Sequence, residues 1–243
     1  MSLAQRFGDA LSTETGDDAL DELLPVHLAR TAAKVLGAEG VGVGVQGDAE
    51  WRTPLGASDE VAATAERLQF TVGSGPCLLA ARSGWPVFGV DPILSRRWPV
   101  FHDLLVTQTP YRSIVALPLH DELAGLGVLS LYFVRSDGLT TVDAFEARAV
   151  AKLITARLRC TAAWSSSSDT ESPAWMNSPA AQRRAKVWQA MGMVMLALSV
   201  SAEDALAVLR CHAYGAGREL DAVAADLISG RTSVSQLRED ARP

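Results

Sequence analysis

The sequence predicts an α+β fold in two parts, an antiparallel sheet with packed helices over about residues 15–163 and an all-α three-helix module over residues 179–243. Three observations lead to this reading. Short strand-like runs alternate with helix-period stretches in the first part. Serine, proline and acidic residues concentrate between residues 164 and 178, and three amphipathic helices follow one another closely after Pro179. With 243 residues and 48% hydrophobic composition, the chain can bury a substantial core as one large domain or two modest ones.

In chain order, Leu20, Leu23, Leu24, Leu28, Val35 and Leu36 predict a helix ended by Gly37. VGVGV, Val41 to Val45, alternates valine with glycine as a strand does, and nothing basic follows it that would suit a phosphate-binding loop. Short elements follow around Trp51 and Phe70. SGPCLLAARSG, Ser74 to Gly84, reads as a turn feeding a short helix with Pro76 at its first position. SIVALPLH, Ser113 to His120, and GLGVLSLYFV, Gly125 to Val134, predict two strands joined into an antiparallel hairpin by the acidic turn at Asp121 and Glu122. A long helix from Thr141 to Ala163 carries Phe145, Val150, Leu153, Ile154 and Leu158. AWSSSSDTESPAWMNSP, Ala163 to Pro179, has the composition of a flexible linker.

The second part opens on RRAKVWQAMGMVMLALSV, Arg183 to Val200. A membrane-spanning helix needs about 20 predominantly apolar residues. This run is bounded by Lys186 and Ser201 and contains Gln189 and Ser199. Trp188, Met191, Met195 and Leu198, with Val187 and Val194 beside them, form instead the broad apolar stripe of a core-facing helix. Ser178 followed by Pro179 marks its start. Ser201 with Asp204 marks the start of a second helix, through Ala205, Leu206, Val208 and Leu209, stopped by Gly215 and Gly217. A third runs through Leu220, Val223, Ala224 and Leu227 to Gly230. Helices this short bury their apolar faces only by packing on one another.

The residue inventory excludes several classes of function. Cys77, Cys160 and Cys211 form no CxxC or Cys/His pattern, so reduced thiols are expected rather than disulfides or a zinc site. His27, His102, His120 and His212 are scattered without ligand spacing, so no metal is expected and the cofactor is unknown. No positively charged segment leads into an apolar core near Met1, which predicts a cytoplasmic protein without membrane association. The sequence contains no phosphate-binding, dinucleotide, nucleophile-elbow, zinc-protease or kinase motif, so an enzyme is not expected.

FTVGSGPCLLAARSGWPV (Phe70 to Val87), RRWPVF (Arg96 to Phe101), YRSIVALPL (Tyr111 to Leu119) and LGVLSLYF (Leu126 to Phe133) resemble GAF sensor domains of the actinobacterial kind, over residues 15–163. QAMGMVM (Gln189 to Met195), SAEDALAVLR (Ser201 to Arg210) and RELDAVAADLISG (Arg218 to Gly230) resemble an ANTAR domain. Their order and spacing are similar to those of GAF-ANTAR transcription antitermination regulators. The resemblance implies a GAF-like domain sensing a small molecule or redox signal, with a ligand between its sheet and the helices over it. It also implies a three-helix module that binds RNA stem-loops and prevents transcription termination.

The charge pattern allows RNA contact at few places. The chain carries −6 overall; residues 1–163 hold 14 Lys and Arg against 19 Asp and Glu, and residues 179–243 hold 8 against 7. The helical module is therefore the least acidic region without being strongly basic. Arg183, Arg184 and Lys186 lead its first helix, with Arg183 and Arg184 expected to be exposed. Arg210 and Arg218 are available beyond them, and Tyr214 can stack on an unpaired base. Met191 and Glu219 stand where proteins of the ANTAR pattern carry basic residues, which leaves a protein-interaction or dimerisation module as the alternative.

In the sensor part, Cys77 falls in the first turn of a helix, where the dipole can stabilise a thiolate; the other reading is a small buried side chain. Trp85, Trp98 and Tyr111 either line the ligand pocket or fill the core. The helix through Phe145 to Leu158 and the N-terminal helix carry more apolar surface than one small sheet requires, which predicts a homodimer.

Overall fold

The computed structural model describes residues 1–15, 21–46, 52–119, 127–165 and 173–240. Strands β1 (Gly40–Gln46), β2 (Arg52–Ala57), β3 (Val87–Val90), β4 (Ser113–Pro118) and β5 (Gly127–Phe133) form one antiparallel sheet in the order β2-β1-β5-β4-β3. Side chains alternate across each strand. Val41, Val43, Val115, Leu117, Leu129 and Leu131 therefore face helices α1 (Leu3–Thr15), α2 (Leu24–Leu36) and α7 (Ala144–Ser165). Ile114, Ala116, Val128 and Tyr132 face the opposite layer, built from α3 (Glu60–Val72), α4 (Pro76–Ser83), α5 (Asp91–Arg97) and α6 (Pro99–Gln108). With helices on both faces the fold is α+β, and β4 and β5 are buried at every position. Burial on both sides explains why these two strands read as continuous apolar runs rather than alternating ones. They pair as the expected hairpin. The acidic turn at Asp121 and Glu122, together with His120, lies outside the described residues.

The glycines of β1 have a packing reason. Val41 and Val43 fill the core under α2. On the other face, a Cβ at Gly42 would lie 2.6 Å from the Glu66 carboxyl group, and one at Gly40 would lie 2.1 Å from the Tyr111 hydroxyl. A strand glycine marks close approach of another group, and here two polar side chains of the opposite layer use that space.

Beyond the sheet domain come α8 (Pro179–Leu198), α9 (Ala202–Gly215), α10 (Leu220–Ile228) and α11 (Val234–Asp240). The module thus has four helices among the described residues, one more than expected. Val187, Ala190, Val194, Leu206, Leu209, Leu220 and Leu227 form its core, closed from below by Leu237 of α11. Ser178 caps α8 by accepting the Ala181 N–H at 3.2 Å, and Ser201 caps α9 by accepting the Asp204 N–H at 3.1 Å. Each cap satisfies an N–H that has no partner within its helix. No single helix among the described residues is long and apolar enough to cross a membrane, and α8 and α9 meet at a 108° bend.

Two expectations need correction. The linker reading fails over residues 173–178, where a 3₁₀ turn, Ala174–Asn177, inserts Trp175 into the core of the sheet domain. The buried Ser178 hydroxyl also donates to the Leu55 carbonyl at 3.0 Å, so this stretch is fastened to β2. Residues 166–172 lie outside the described residues. The apolar face of α7 is not surplus either: Ala147, Val150, Ala151, Ile154 and Leu158 are all buried within the chain, leaving Phe145 exposed at its start.

Candidate functional site

Helix α3 carries two sets of polar contacts on neighbouring faces. Towards the sheet, Glu66 and Gln69 are buried. The Tyr132 hydroxyl donates to Glu66 Oε1 at 2.6 Å, while Gln69 Nε2 donates to the Tyr132 hydroxyl at 3.0 Å and to Cys77 Sγ at 2.8 Å. Gln69 Oε1 accepts the Cys77 backbone N–H at 2.9 Å, and Ser130 Oγ lies 2.9 Å from the thiol. Tyr111 stacks on Tyr132 with ring centroids 5.0 Å apart. Burial, reinforced by Asp59 and Glu39, pushes the Tyr111 hydroxyl pKa well above its ordinary value, so it stays protonated. Buried polar groups persist when hydrogen-bonded. This network meets that condition and ties α3 and the start of α4 to β5.

The next face of α3 holds the helical module. Phe70 is buried in the module's core, with Trp188 edge-on at 5.7 Å and the Arg184 guanidinium 3.3 Å from its ring centroid. Arg210 lies 5.1 Å from the same ring, and its Nε donates to the Phe70 carbonyl at 3.1 Å. The Leu220 N–H donates to the Thr71 hydroxyl at 3.2 Å. Arg67 pairs with Glu219 at 2.9 Å and with Glu60 at 2.7 Å. Burial works against the Arg67 charge, but Glu219 and then Glu60 outweigh it, raising its pKa and holding the guanidinium charged. A desolvated cation over an aromatic face is stabilised by about 2 kcal/mol.

The structure separates the six residues expected to contact RNA. Arg183, Lys186, Tyr214 and Arg218 are exposed. Arg184 is only 1% exposed and pairs with Asp221 of α10 at 3.3 Å. Its expected exposure was wrong because positions 184, 187, 191 and 194 share one face of α8, so the buried stripe begins a turn earlier than its first apolar residue. Arg210 is half-buried at the Phe70 dock. Arg218 and Arg231 pair with Asp226 at 2.6 Å and 2.5 Å, and they hold its carboxyl below the usual carboxylate range. Met191 is buried in the module core, and Glu219 is the partner of Arg67. Both residues therefore have structural roles.

Of the four residues assigned to sensing, Cys77, Trp98 and Tyr111 belong to one buried cluster over the sheet. Trp85 does not: it is 74% exposed and lines a groove with Phe88, Leu117, Phe145 and Arg148. It sits just before the edge strand β3, where the chain has already left the layer of α3 and α4. Arg67, Glu66, Gln69, Phe70, Ser130 and Tyr132 were not singled out by sequence. The glycine alternation in β1 was the one local signal for Glu66 and Tyr111. Among the described residues, no group of three His, Cys, Asp or Glu side chains is placed to hold a metal ion.

The thiols give a direct check on this interior. Cys77 is fully buried, whereas Cys160 and Cys211 are exposed. Under native conditions, iodoacetamide is expected to label Cys160 and Cys211 rapidly and Cys77 only after denaturation, as read by peptide mass spectrometry. Labelling of Cys77 at the rate of the other two would show that the network is open to solvent.

No protein-family model and no curated protein matches the chain. Among solved structures, the chain is similar to the GAF domain from a phosphoenolpyruvate-protein phosphotransferase (ptsP) from Coxiella burnetii, at 16% identity and a TM-score of 0.46, over 68% of this chain and 99% of that chain.

Proposed function

We propose that the chain is a cytoplasmic, non-enzymatic regulator whose helical module binds RNA stem-loops and prevents transcription termination, while its GAF-like domain senses a small molecule and controls release of that module. The observation that carries this reading is the double use of α3. Two of the cations expected to serve RNA, Arg184 and Arg210, are held on Phe70. Four residues earlier, Glu66 enters the interior network. A signal that displaces α3 at Glu66 or Gln69 acts on the dock without an intervening element. The fully buried Cys77 favours a small molecule over a redox signal. Homodimerisation belongs to the proposal because two linked modules raise avidity for RNA carrying two stem-loops.

The test is titration of a labelled stem-loop at two salt concentrations, with the full chain and with Arg67→Glu, which sets like charges together at the dock. The parent should bind weakly, the variant at least about tenfold more tightly, and both less well as salt rises. A second reading, a protein-interaction or dimerisation module, is favoured by one feature of α8. Gln182, Lys186, Gln189, Met193 and Leu196 recur at alternating spacings of four and three, with Met193 40% and Leu196 86% exposed. Only the last two of these positions, Met193 and Leu196, are apolar, and this exposed end of α8 suits contact with a partner surface. Absence of RNA binding by both proteins, with a dimer in sedimentation velocity that Leu196→Glu dissociates, selects that reading.

A further inference from the structure

A cleft of about 230 Å³ opens where the sheet domain meets the helical module, between α2, β2, α3 and the first turn of α8. Its apolar walls include Val26, Pro54, Leu55 and Ala63. Every carboxylate that lines it is already engaged. Asp59 caps α3 by accepting the Ala62 N–H at 2.8 Å and accepts the Ser58 hydroxyl at 2.7 Å. Glu60 pairs with Arg67, Glu66 accepts from Tyr132, and Asp221 pairs with Arg184. Two of the lining arginines are not engaged in this way. Among the described residues Arg183 makes no hydrogen bond or ion pair, and Arg30 donates only through Nε, to the Ser58 carbonyl at 3.2 Å. Each of these carboxylates thus has a hydrogen bond or an ion pair within the protein, and the cleft keeps two guanidinium groups with free donors, one from each part of the chain.

We infer that this cleft binds a small anion, a carboxylate or phosphate on a short apolar body, which bridges Arg30 of α2 and Arg183 of α8. Guanidinium forks match both oxyanions in bidentate geometry. The apolar walls select for a hydrocarbon portion, and a cleft of this size suits a small metabolite. Clefts at domain junctions are common ligand sites. Here the occupant would tie the module to the sheet domain and cover Arg183, one of the cations left exposed for RNA. The inference rests on the proposed sensing function and supplies the place and chemical class of the signal. That place is the junction, whereas the space between the sheet and α3 is occupied by the protein's own side chains.

The test is calorimetric titration of the full chain with benzoate, with phenyl phosphate and with uncharged benzamide, in the absence of RNA. One or both anions should bind and benzamide at least about tenfold less tightly, with Arg30→Gln and Arg183→Gln each weakening the anion about tenfold. Both substituted residues are exposed, so circular dichroism spectra should be unchanged. The preference between the two anions distinguishes a carboxylate from a phosphate site. Equal binding of benzamide, anion binding insensitive to both substitutions, or no binding of either anion at about 10 mM would overturn the site. Because no RNA is present, failure of the stem-loop titration and failure of this one are separate results.

Discussion

Arg184→Glu is expected to destabilise the chain by more than about 3 kcal/mol, seen as a large fall in the denaturation midpoint followed by circular dichroism. Arg184 is buried, lies over the Phe70 ring and pairs with Asp221. The substitution removes the cation from the ring and sets two carboxylates together in a water-poor site. Its neighbour Arg183 is exposed and unpaired among the described residues, so Arg183→Glu should change stability by less than about 0.5 kcal/mol. Equal, small effects at both positions would show that Arg184 faces solvent. The same contrast matters for RNA work. Reversing Arg183 and Lys186 probes the exposed face, whereas reversing Arg184 confounds binding with folding. Met191→Lys would likewise place an ammonium in the module core rather than restore an RNA contact.

Phe70→Ala is expected to cost about 3–5 kcal/mol, the range for removing a buried phenyl ring. Its effect should fall on the joint between the two parts. Phe70 belongs to α3 by sequence and to the module's core by packing, where it meets Trp188, Arg184 and Arg210. Without the ring, two guanidinium groups lose their aromatic face, while the Arg210 Nε bond to the carbonyl of residue 70, the Arg67–Glu219 pair and the Leu220–Thr71 and Ser178–Leu55 hydrogen bonds remain. Denaturation of the parent should show one transition and that of Phe70→Ala two, one for each part. A single transition shifted by under about 1 kcal/mol would place little of the docking energy in this contact.

The elements legible in the sequence were those whose signals are local. The β4–β5 hairpin showed as two apolar runs, and α8 to α10 showed through Ser178, Ser201 and the glycines that follow α9 and α10. Helix α3 was recognised only as an element near Phe70, because its buried faces carry Glu66, Gln69 and Thr71, which blur the apolar period. Their partners Tyr132 and Ser130 come from β5, far along the chain, so nothing local announced that these polar residues face inward. Helix α1 buries only Phe7 and Leu11, too few to make a recognisable stripe. Trp175 illustrates the converse, since a serine- and proline-rich composition suggested a tether while one indole was enough to pin residues 173–178 to the core. For the candidate site, the spacing 184, 187, 191 and 194 does place Arg184 on the buried face of α8, but a charged residue at the head of an apolar stripe reads as its solvent boundary. Nothing local announced that its partner is Asp221 of α10, nor that Glu219 has its partner in the sheet domain.

Amide hydrogen exchange on the full chain, with and without stem-loop RNA, is the most direct test of signal-controlled docking. The Leu220 amide is the sharpest reporter. As the first residue of α10 it has no acceptor within its own helix, and it is satisfied by Thr71 Oγ1 across the dock. Docking that competes with RNA predicts faster exchange at Leu220 and at residues 71–73 when RNA is bound, with α10 beyond its first turn unchanged. RNA bound at full occupancy, with the Leu220 amide as protected as in the free protein, would contradict it.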